Sequence, residues 1–358
     1  MPRIQVLDIR GSKESVGSTP HLRAAILEGL LKPPGSRTLP SETLYDEVGL
    51  KMYNDGMKAW AEWYYPVEAE RQILERYGRD IAKLFTTSAK GKAVLIELGA
   101  GSLDKTSQVL LSAAEITRTT GPMNNIAYYA LDLERGELER TIGRLQEVIG
   151  DQIAGKISTA GMWGTYDDGI RVIEKNELEL EPDIPVHILF LGGTIGNFSK
   201  QDGDVAFLKS LPLDHKRGDT LLVGMDRHKS ADAIERSYGF AAAKDWIMNG
   251  LKVSGRVLTG DEGLFEIGNW ERYAKYNEEL GRYEAGYKSQ KEHALKISEG
   301  VDITFLKDEV VLVMFSNKYT DAEMDSVVDS AGLVKNGSWM DEKAQYCLLS
   351  LRANNGPV

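Results

Sequence analysis

The sequence predicts an α/β protein built on a doubly wound, mainly parallel sheet, with a second, discontinuous lobe. Three observations predict it. From residue 93 onward, short and almost continuously apolar runs alternate with amphipathic helices. Strands of that kind are buried on both faces, as in a parallel sheet covered by helices on either side. Two of the runs end in glycines, "IELGAGSLDKT" and "LFLGGTIGNFS", and open parallel sheets bind ligands beyond the carboxyl ends of their strands. Before residue 66 and after residue 226 the texture changes to segments rich in Tyr and Trp that fit no βα unit.

Taken in order, "TPHLRAAILEGLL" reads as an amphipathic helix capped by Thr19 or Ser18. "PPGSRTLPSET" is a loop by its prolines and glycine. "SETLYDEVGLKMYNDGMKAWAEWYYP" has helical periodicity and a cluster of Tyr and Trp rings after residue 50, and Pro66 suits the first turn of "PVEAERQILERYGRDIAKLF". Then come strand "AVLIEL", helix "KTSQVLLSAAEIT", strand "IAYYALDL", helix "ERGELERTIGRLQEVI", a strand ending at "TAGMWG", strand "PVHILFLGGT", helix "QDGDVAFLKSL" and strand "GDTLLVGMD". Beyond them "SADAIERSYGFAAAKDWIMNGL" reads as helix and "DITFLKDEVVLVMFSNKYT" as β structure. A last helix, "DAEMDSVVDSAGL", and strand, "QYCLLSLRA", can rejoin the sheet. The expected division is 66–226 with 318–358 for the sheet domain, and 1–65 with 227–317 for the other lobe.

Composition bounds the function. The 358 residues carry a net charge of −11, which disfavours nucleic acid or an anionic membrane as partner. No apolar run reaches the roughly 20 residues of a membrane span. The first residues lack a signal-peptide core, and the single cysteine, Cys347, excludes an internal disulfide; a cytoplasmic monomer is the expectation. The five histidines fall at no ligand-like spacing, so no metal is expected.

The first glycine loop has Asp104 where a nicotinamide fingerprint needs its third glycine, and it lacks the GKS/GKT of a phosphate loop. Glu97, two residues before Gly99, suits an ammonium or sulfonium ligand; the structural alternative is a plain strand–helix turn. Asp132 ends the next strand, where a carboxylate can bind both ribose hydroxyls of an adenosine; the alternative is a helix cap. Met162 and Trp163 end the strand after that and can sandwich an adenine ring, or pack in the core. Beyond Gly192 and Gly193, Thr194 and Asn197 offer polar groups to a substrate.

Together "YYP", "ELGAGSLDKT", "YYALDL", "GTYDDG", "LFLGGTIGNF" and "NKY" resemble the histidine-specific S-adenosylmethionine (SAM) methyltransferase family, over roughly residues 40–350. The family includes enzymes that methylate the α-amine of histidine and fungal relatives acting on tryptophan and dimethylallyltryptophan; the fungal pieces match better. The resemblance implies a Rossmann-like SAM methyltransferase domain and a substrate lobe, with SAM as cofactor and a small amino acid as substrate. It places Gly99, Lys105 and Asp132, with Met162 and Trp163, at SAM, and Tyr64, Asn197 and Tyr238 at the amino acid. It also carries a departure. The histidine enzymes have Glu two residues before a Ser, where this chain has Met314 and Ser316, and Ala285 stands where they have a bulkier methionine. Residues two apart in a strand share a face. The implied pocket is larger, less polar and without an imidazole-binding carboxylate, which suits an indole. The expected activity is α-N-methylation of free L-tryptophan, with prenylated tryptophan, histidine and an inert SAM-binding scaffold as alternatives.

Overall fold

The protein is described by a computed structural model covering residues 4–11, 19–60, 64–86, 91–101, 103–120, 126–239, 243–298 and 300–354, with side chains left aside at 54, 57–60, 104 and 118–120. In chain order the elements are β1 (Val6–Asp8), α1 (Thr19–Leu30), α2 (Glu47–Trp60), α3 (Tyr65–Thr86), β2 (Ala93–Leu98), α4 (Asp104–Thr120), β3 (Ile126–Asp132) and α5 (Arg135–Ile153). There follow β4 (Ile157–Trp163), α6 (Tyr166–Glu174), β5 (Val186–Phe190), α7 (Gly203–Ser210), β6 (Thr220–Asp226), α8 (Ala231–Ser237) and α9 (Ala243–Thr259). The last are β7 (Trp270–Asn277), β8 (Arg282–Ser289), β9 (His293–Ser298), β10 (Val301–Phe305), β11 (Val310–Asn317), α10 (Asp321–Ser330), β12 (Leu333–Asp341) and β13 (Tyr346–Ala353). They form two compact units, 1–13 with 66–227 and 319–358, and 14–65 with 228–318.

The first unit is built on an eight-stranded sheet of order β1-β4-β3-β2-β5-β6-β13-β12. The pairings from β1 to β6 are parallel, and β13 runs antiparallel between β6 and β12. The chain winds outward from β2 through β3 and β4, then returns to the other side of β2 with β5 and β6. The order therefore switches between β2 and β5, the place where such sheets bind ligands. β2, β5 and β6 are buried at every position because both faces are covered. Ile96, Ile188, Phe190 and Val223 pack on one side, and Leu95, Leu189, Leu222 and Leu348 on the other. Burying each such side chain is worth roughly 1.5–3 kcal/mol. Pro66 lies in the first turn of α3, and capping boxes at Thr165/Asp168 and Thr320/Glu323 fix the starts of α6 and α10.

Two expectations need correction here. The beginning of the chain does not join the second lobe: Val6–Asp8 pairs in parallel with β4 and extends the sheet by an edge strand. Three residues are too short to show a period in the sequence. The end of the chain adds two strands, not one. β12, "LVKNGSWMD", is an edge strand whose side chains are mostly half-buried or exposed, so it lacks the apolar run of a central strand.

The second unit holds a three-stranded antiparallel sheet, β11-β8-β7, and the hairpin β9–β10. Its core is aromatic, with Trp246, Trp270, Tyr283, Tyr287 and Phe305 all buried. The region read as one helix after residue 230 is two, α8 and α9. Tyr238 caps the end of α8, and Gly239, a poor helix former, follows. Helix α1 begins at Thr19; Ser18, the other cap candidate, lies outside the described residues, as do Trp63 and the Trp60 side chain of the aromatic cluster.

Candidate active site

The cofactor half starts from the β2 loop. Gly99 and Gly101 have φ of +70° and +56°, the left-handed region open to glycine at no steric cost. A Cβ on Gly99 would stand 2.7 Å from the Tyr166 hydroxyl, whereas Gly101 faces open space. The amides of Gly99 and Ala100 donate to Leu131 O at 2.9 and 3.1 Å, which ties the loop to the end of β3. There Asp132 is half-buried, and its Oδ1 accepts from Leu133 N at 2.7 Å. It does not cap α5, whose N-cap is Glu134. Burial raises its pKa against the pull of the Glu134, Gly101 and Leu133 amides. A carboxylate has about four acceptor positions, and Asp132 fits the demand of two ribose hydroxyls.

Two neighbours depart from expectation. Glu97 does not face a ligand: it is buried, accepting from Thr106 Oγ1 at 2.7 and 2.8 Å and from the Tyr128 hydroxyl at 2.5 Å. Burial pushes its pKa up to about 7. Met162 is fully buried in the core, so its side chain is not available to an adenine ring. The alternation along β4 turns it inward and turns Trp163 the other way. Trp163 is half-buried, donates Nε1–H to Leu133 O at 2.9 Å, and lies under the Arg10 guanidinium, 3.2 Å from the ring centroid. The aromatic side chain against the glycine loop is instead Tyr166, which reading by strand ends missed because it begins a helix.

Gly192 and Gly193, at the end of β5, have φ of +78° and +69°. They lead into a 3-10 turn at Thr194–Asn197, where the Thr194 hydroxyl donates to Leu191 O at 3.2 Å and Asn197 is exposed. Lys105, on α4, is ion-paired with the buried Glu70 of α3. Glu70 also went unread in the sequence; its signal is its place on the apolar stripe of α3 with Ile73, Leu74 and Ile81.

In the second unit, Tyr64 and Tyr238 meet through their hydroxyls at 3.0 Å. The Tyr238 ring stacks on Tyr283 at 4.0 Å and 11°. The buried Lys318 ammonium donates to Tyr238 Oη at 3.2 Å and to Ser316 Oγ at 3.1 Å. Arg272 holds the same tyrosines, donating to Tyr238 O at 2.9 Å and to the Tyr283 hydroxyl at 3.1 Å. The register of β11 on β8 sets Met314 opposite Ala285 and Ser316 opposite Tyr283. Tyr64, Tyr238 and Ser316 are thus joined in one network, with Met314 and Ala285 two pairs further along the strands. Arg272 and Tyr283 escaped the sequence reading because only pairing brings them to the site, whereas Lys318 stands in the quoted "NKY", two residues after Ser316, with no role assigned to it. Among the described residues no group of His, Cys, Asp and Glu could hold a metal ion, and no helix is long and apolar enough to cross a membrane.

Comparison with known proteins follows the same lines. Residues 22–353 match the family described as histidine-specific methyltransferase, SAM-dependent. The chain is 30% identical over 344 residues to a 4-dimethylallyltryptophan N-methyltransferase, easF, of Epichloe festucae var. lolii, covering 91% of this chain and 93% of that one. It is 28% identical over 351 residues to N-methyltransferase dtpB of Aspergillus flavus, covering 96% and 91%. It is also 28% identical over 340 residues to ergothioneine biosynthesis protein 1 of Neurospora crassa, covering 93% of this chain and 35% of that one. A solved SAM-dependent methyltransferase from Clostridium acetobutylicum aligns with a TM-score of 0.38 and 6% identity, over 85% of this chain and 99% of that one; so distant a likeness adds nothing to the fold already described. The match across most of the chain, on a sheet with the glycine loop at its switch point and Asp132 at the end of the neighbouring strand, makes this chain a member of the histidine-specific, SAM-dependent methyltransferase family, an enzyme whose cofactor is SAM.

Proposed function

We propose that the enzyme methylates the α-nitrogen of free L-tryptophan, giving the mono- and dimethyl amino acid, with the trimethyl betaine as the limit. The observation that carries this reading is the Met314–Ala285 pair. It puts a thioether opposite a methyl group, in a position where a histidine-directed site needs a carboxylate. A thioether against an aromatic ring is worth roughly 0.3–1.5 kcal/mol. Gly99, Lys105, Asp132 and Trp163 would hold SAM, which supplies an electrophilic methyl group on a sulfonium leaving group. Tyr64, Tyr238 and Asn197 would orient the amino-acid head group. The α-amine of a free amino acid, beside its own carboxylate, holds its proton more tightly than a peptide terminus with its pKa of about 8, so only a small neutral fraction exists at neutral pH, and the residues serve chiefly for alignment. A strong general base is not required.

The second reading is 4-dimethylallyltryptophan, favoured by the naming of relatives that match over most of their length. Ala285, smaller than the methionine of the histidine enzymes, would be compatible with a substituent on the indole. The test is incubation with SAM and, separately, tryptophan, 4-dimethylallyltryptophan and histidine, followed by mass spectrometry. Added methyl masses on tryptophan support the proposal. Methylation of the prenylated compound alone selects the second reading, and methylation of histidine alone rejects both.

A further inference from the structure

Glu70 lies on α3, remote in sequence from both glycine loops, yet its carboxylate joins them. It is fully buried. Lys105 forms an ion pair with it. Gly192 N–H donates to its two oxygens at 2.8 and 3.1 Å, and the Tyr346 hydroxyl donates to Oε1 at 2.7 Å. Position 70 falls on the apolar stripe of α3, where Ile73 and Leu74 pack in the core. A carboxylate there is costly unless several donors compensate it, and two of its three belong to the segments that follow β2 and β5. Those strands flank the switch point of the sheet. The Lys105 side chain is 23% exposed while Glu70 is 0% exposed, so the lysine links a fixed, buried anion to the surface of the unit. The amide of Gly192, the first of two left-handed glycines, is fixed by that same anion.

We infer that Glu70 is a positioning residue for SAM: it holds the Lys105 ammonium and the Gly192 turn in the arrangement that receives the charged amino-acid end of the cofactor. The inference rests on the reading that Lys105 belongs to the cofactor site. A carboxamide at position 70 cannot serve all three donors. Its NH2 group would face either the ammonium or the Gly192 and Tyr346 donors, and one part of the arrangement would have to move.

The test is calorimetric binding of S-adenosylhomocysteine, which needs no knowledge of the amino acid, with a melting temperature for every variant. Glu70→Gln and Lys105→Met are each expected to raise Kd about ten-fold or more, the scale of a buried donor left without its acceptor. The double variant should fall clearly short of the product of the two losses, because the residues act as one unit. Tyr346→Phe removes a bond to the same carboxylate without touching Lys105 or Gly192. It should lower Tm and leave Kd within about two-fold, the scatter expected of independent sites. Should Glu70→Gln fail to fold, Glu70→Asp, which keeps the charge but withdraws it by one methylene, is judged by the same limits. An unchanged Kd at position 70, losses that multiply in the double variant, or an equal loss from Tyr346→Phe would each overturn the inference. An unchanged Kd in Lys105→Met would remove Lys105 from the cofactor site and the inference with it. None of these results bears on which amino acid is methylated.

Discussion

The two units offer their candidate site groups in different materials. In the first, they are largely main chain. Left-handed glycines at 99, 101, 192 and 193 end parallel strands, and one carboxylate, Asp132, stands at the end of the next. In the second, they are side chains packed on one another. Tyr64, Tyr238, Tyr283, Ser316 and Lys318 form a hydrogen-bonded and stacked cluster, beside the Met314–Ala285 pair. The difference teaches where specificity can change. A glycine loop that follows a buried strand is constrained by backbone geometry and tolerates little variation. A pocket wall on an antiparallel sheet changes character with one side chain while the strand pairing stays as it is.

The comparison can be broken in order of effect. Asp132→Ala should weaken SAM binding by roughly 100-fold or more, since each hydrogen bond to a charged acceptor contributes about 1.5–3 kcal/mol. Unchanged affinity by calorimetry would take the cofactor away from the β3 end. Met314→Glu should lower kcat/KM for tryptophan sharply, because Met314 is half-buried and a carboxylate there, covered by the indole and left unpaired, costs several kcal/mol or takes up a proton. Histidine can donate N–H to that carboxylate, so the histidine-to-tryptophan ratio should rise, and Ala285→Met added to it should raise the ratio further. A folded Met314→Glu variant with an unmoved ratio would make Met314 a core residue only. Asn197→Ala, by contrast, should reduce methylation about ten-fold, the loss of one polar contact to a charged group, with SAM affinity intact. Equal losses in both would assign Asn197 to the cofactor or to folding.

The smallest effect is a pH dependence of the first unit. Burial holds Glu97 at about 7 in the folded protein against an ordinary 4.5. Between those values the folded state retains a proton that the unfolded chain has released. Stability from this group is therefore complete below about 4.5 and lost as pH rises through about 7. Thermal melts from pH 5 to 8 should show that decline, and Glu97→Gln should flatten it. An identical slope in the variant would assign the pH dependence to other groups.

The first unit was legible because its signals are local. Buried runs at β2, β3, β5 and β6, with Gly99, Gly192 and Asp132 at their ends, announce a parallel sheet and its ligand edge directly. Where reading failed, distant pairing decided. β1 is three residues long and is a strand only because β4 offers it an edge. Met162 and Trp163 looked equivalent, but the alternation of β4 buries one and leaves the other under Arg10. Glu97 seemed to face a ligand until Tyr128 and Thr106 claimed it. In the second unit, Tyr283 lies 33 and 35 residues before Ser316 and Lys318, and nothing local joins it to them. Only the register of β11 on β8 puts Ser316 opposite Tyr283, and Met314 opposite Ala285.

The central claim, α-N-methylation of an indole amino acid, is tested most directly by competition. Equimolar tryptophan, 4-dimethylallyltryptophan and histidine are offered to the wild-type enzyme with limiting SAM, and fragment-ion mass spectra locate each added methyl group. Methylation of tryptophan on the α-nitrogen is expected, with histidine left essentially unmodified. Preferential methylation of histidine, or a methyl group on the indole nitrogen, would contradict it.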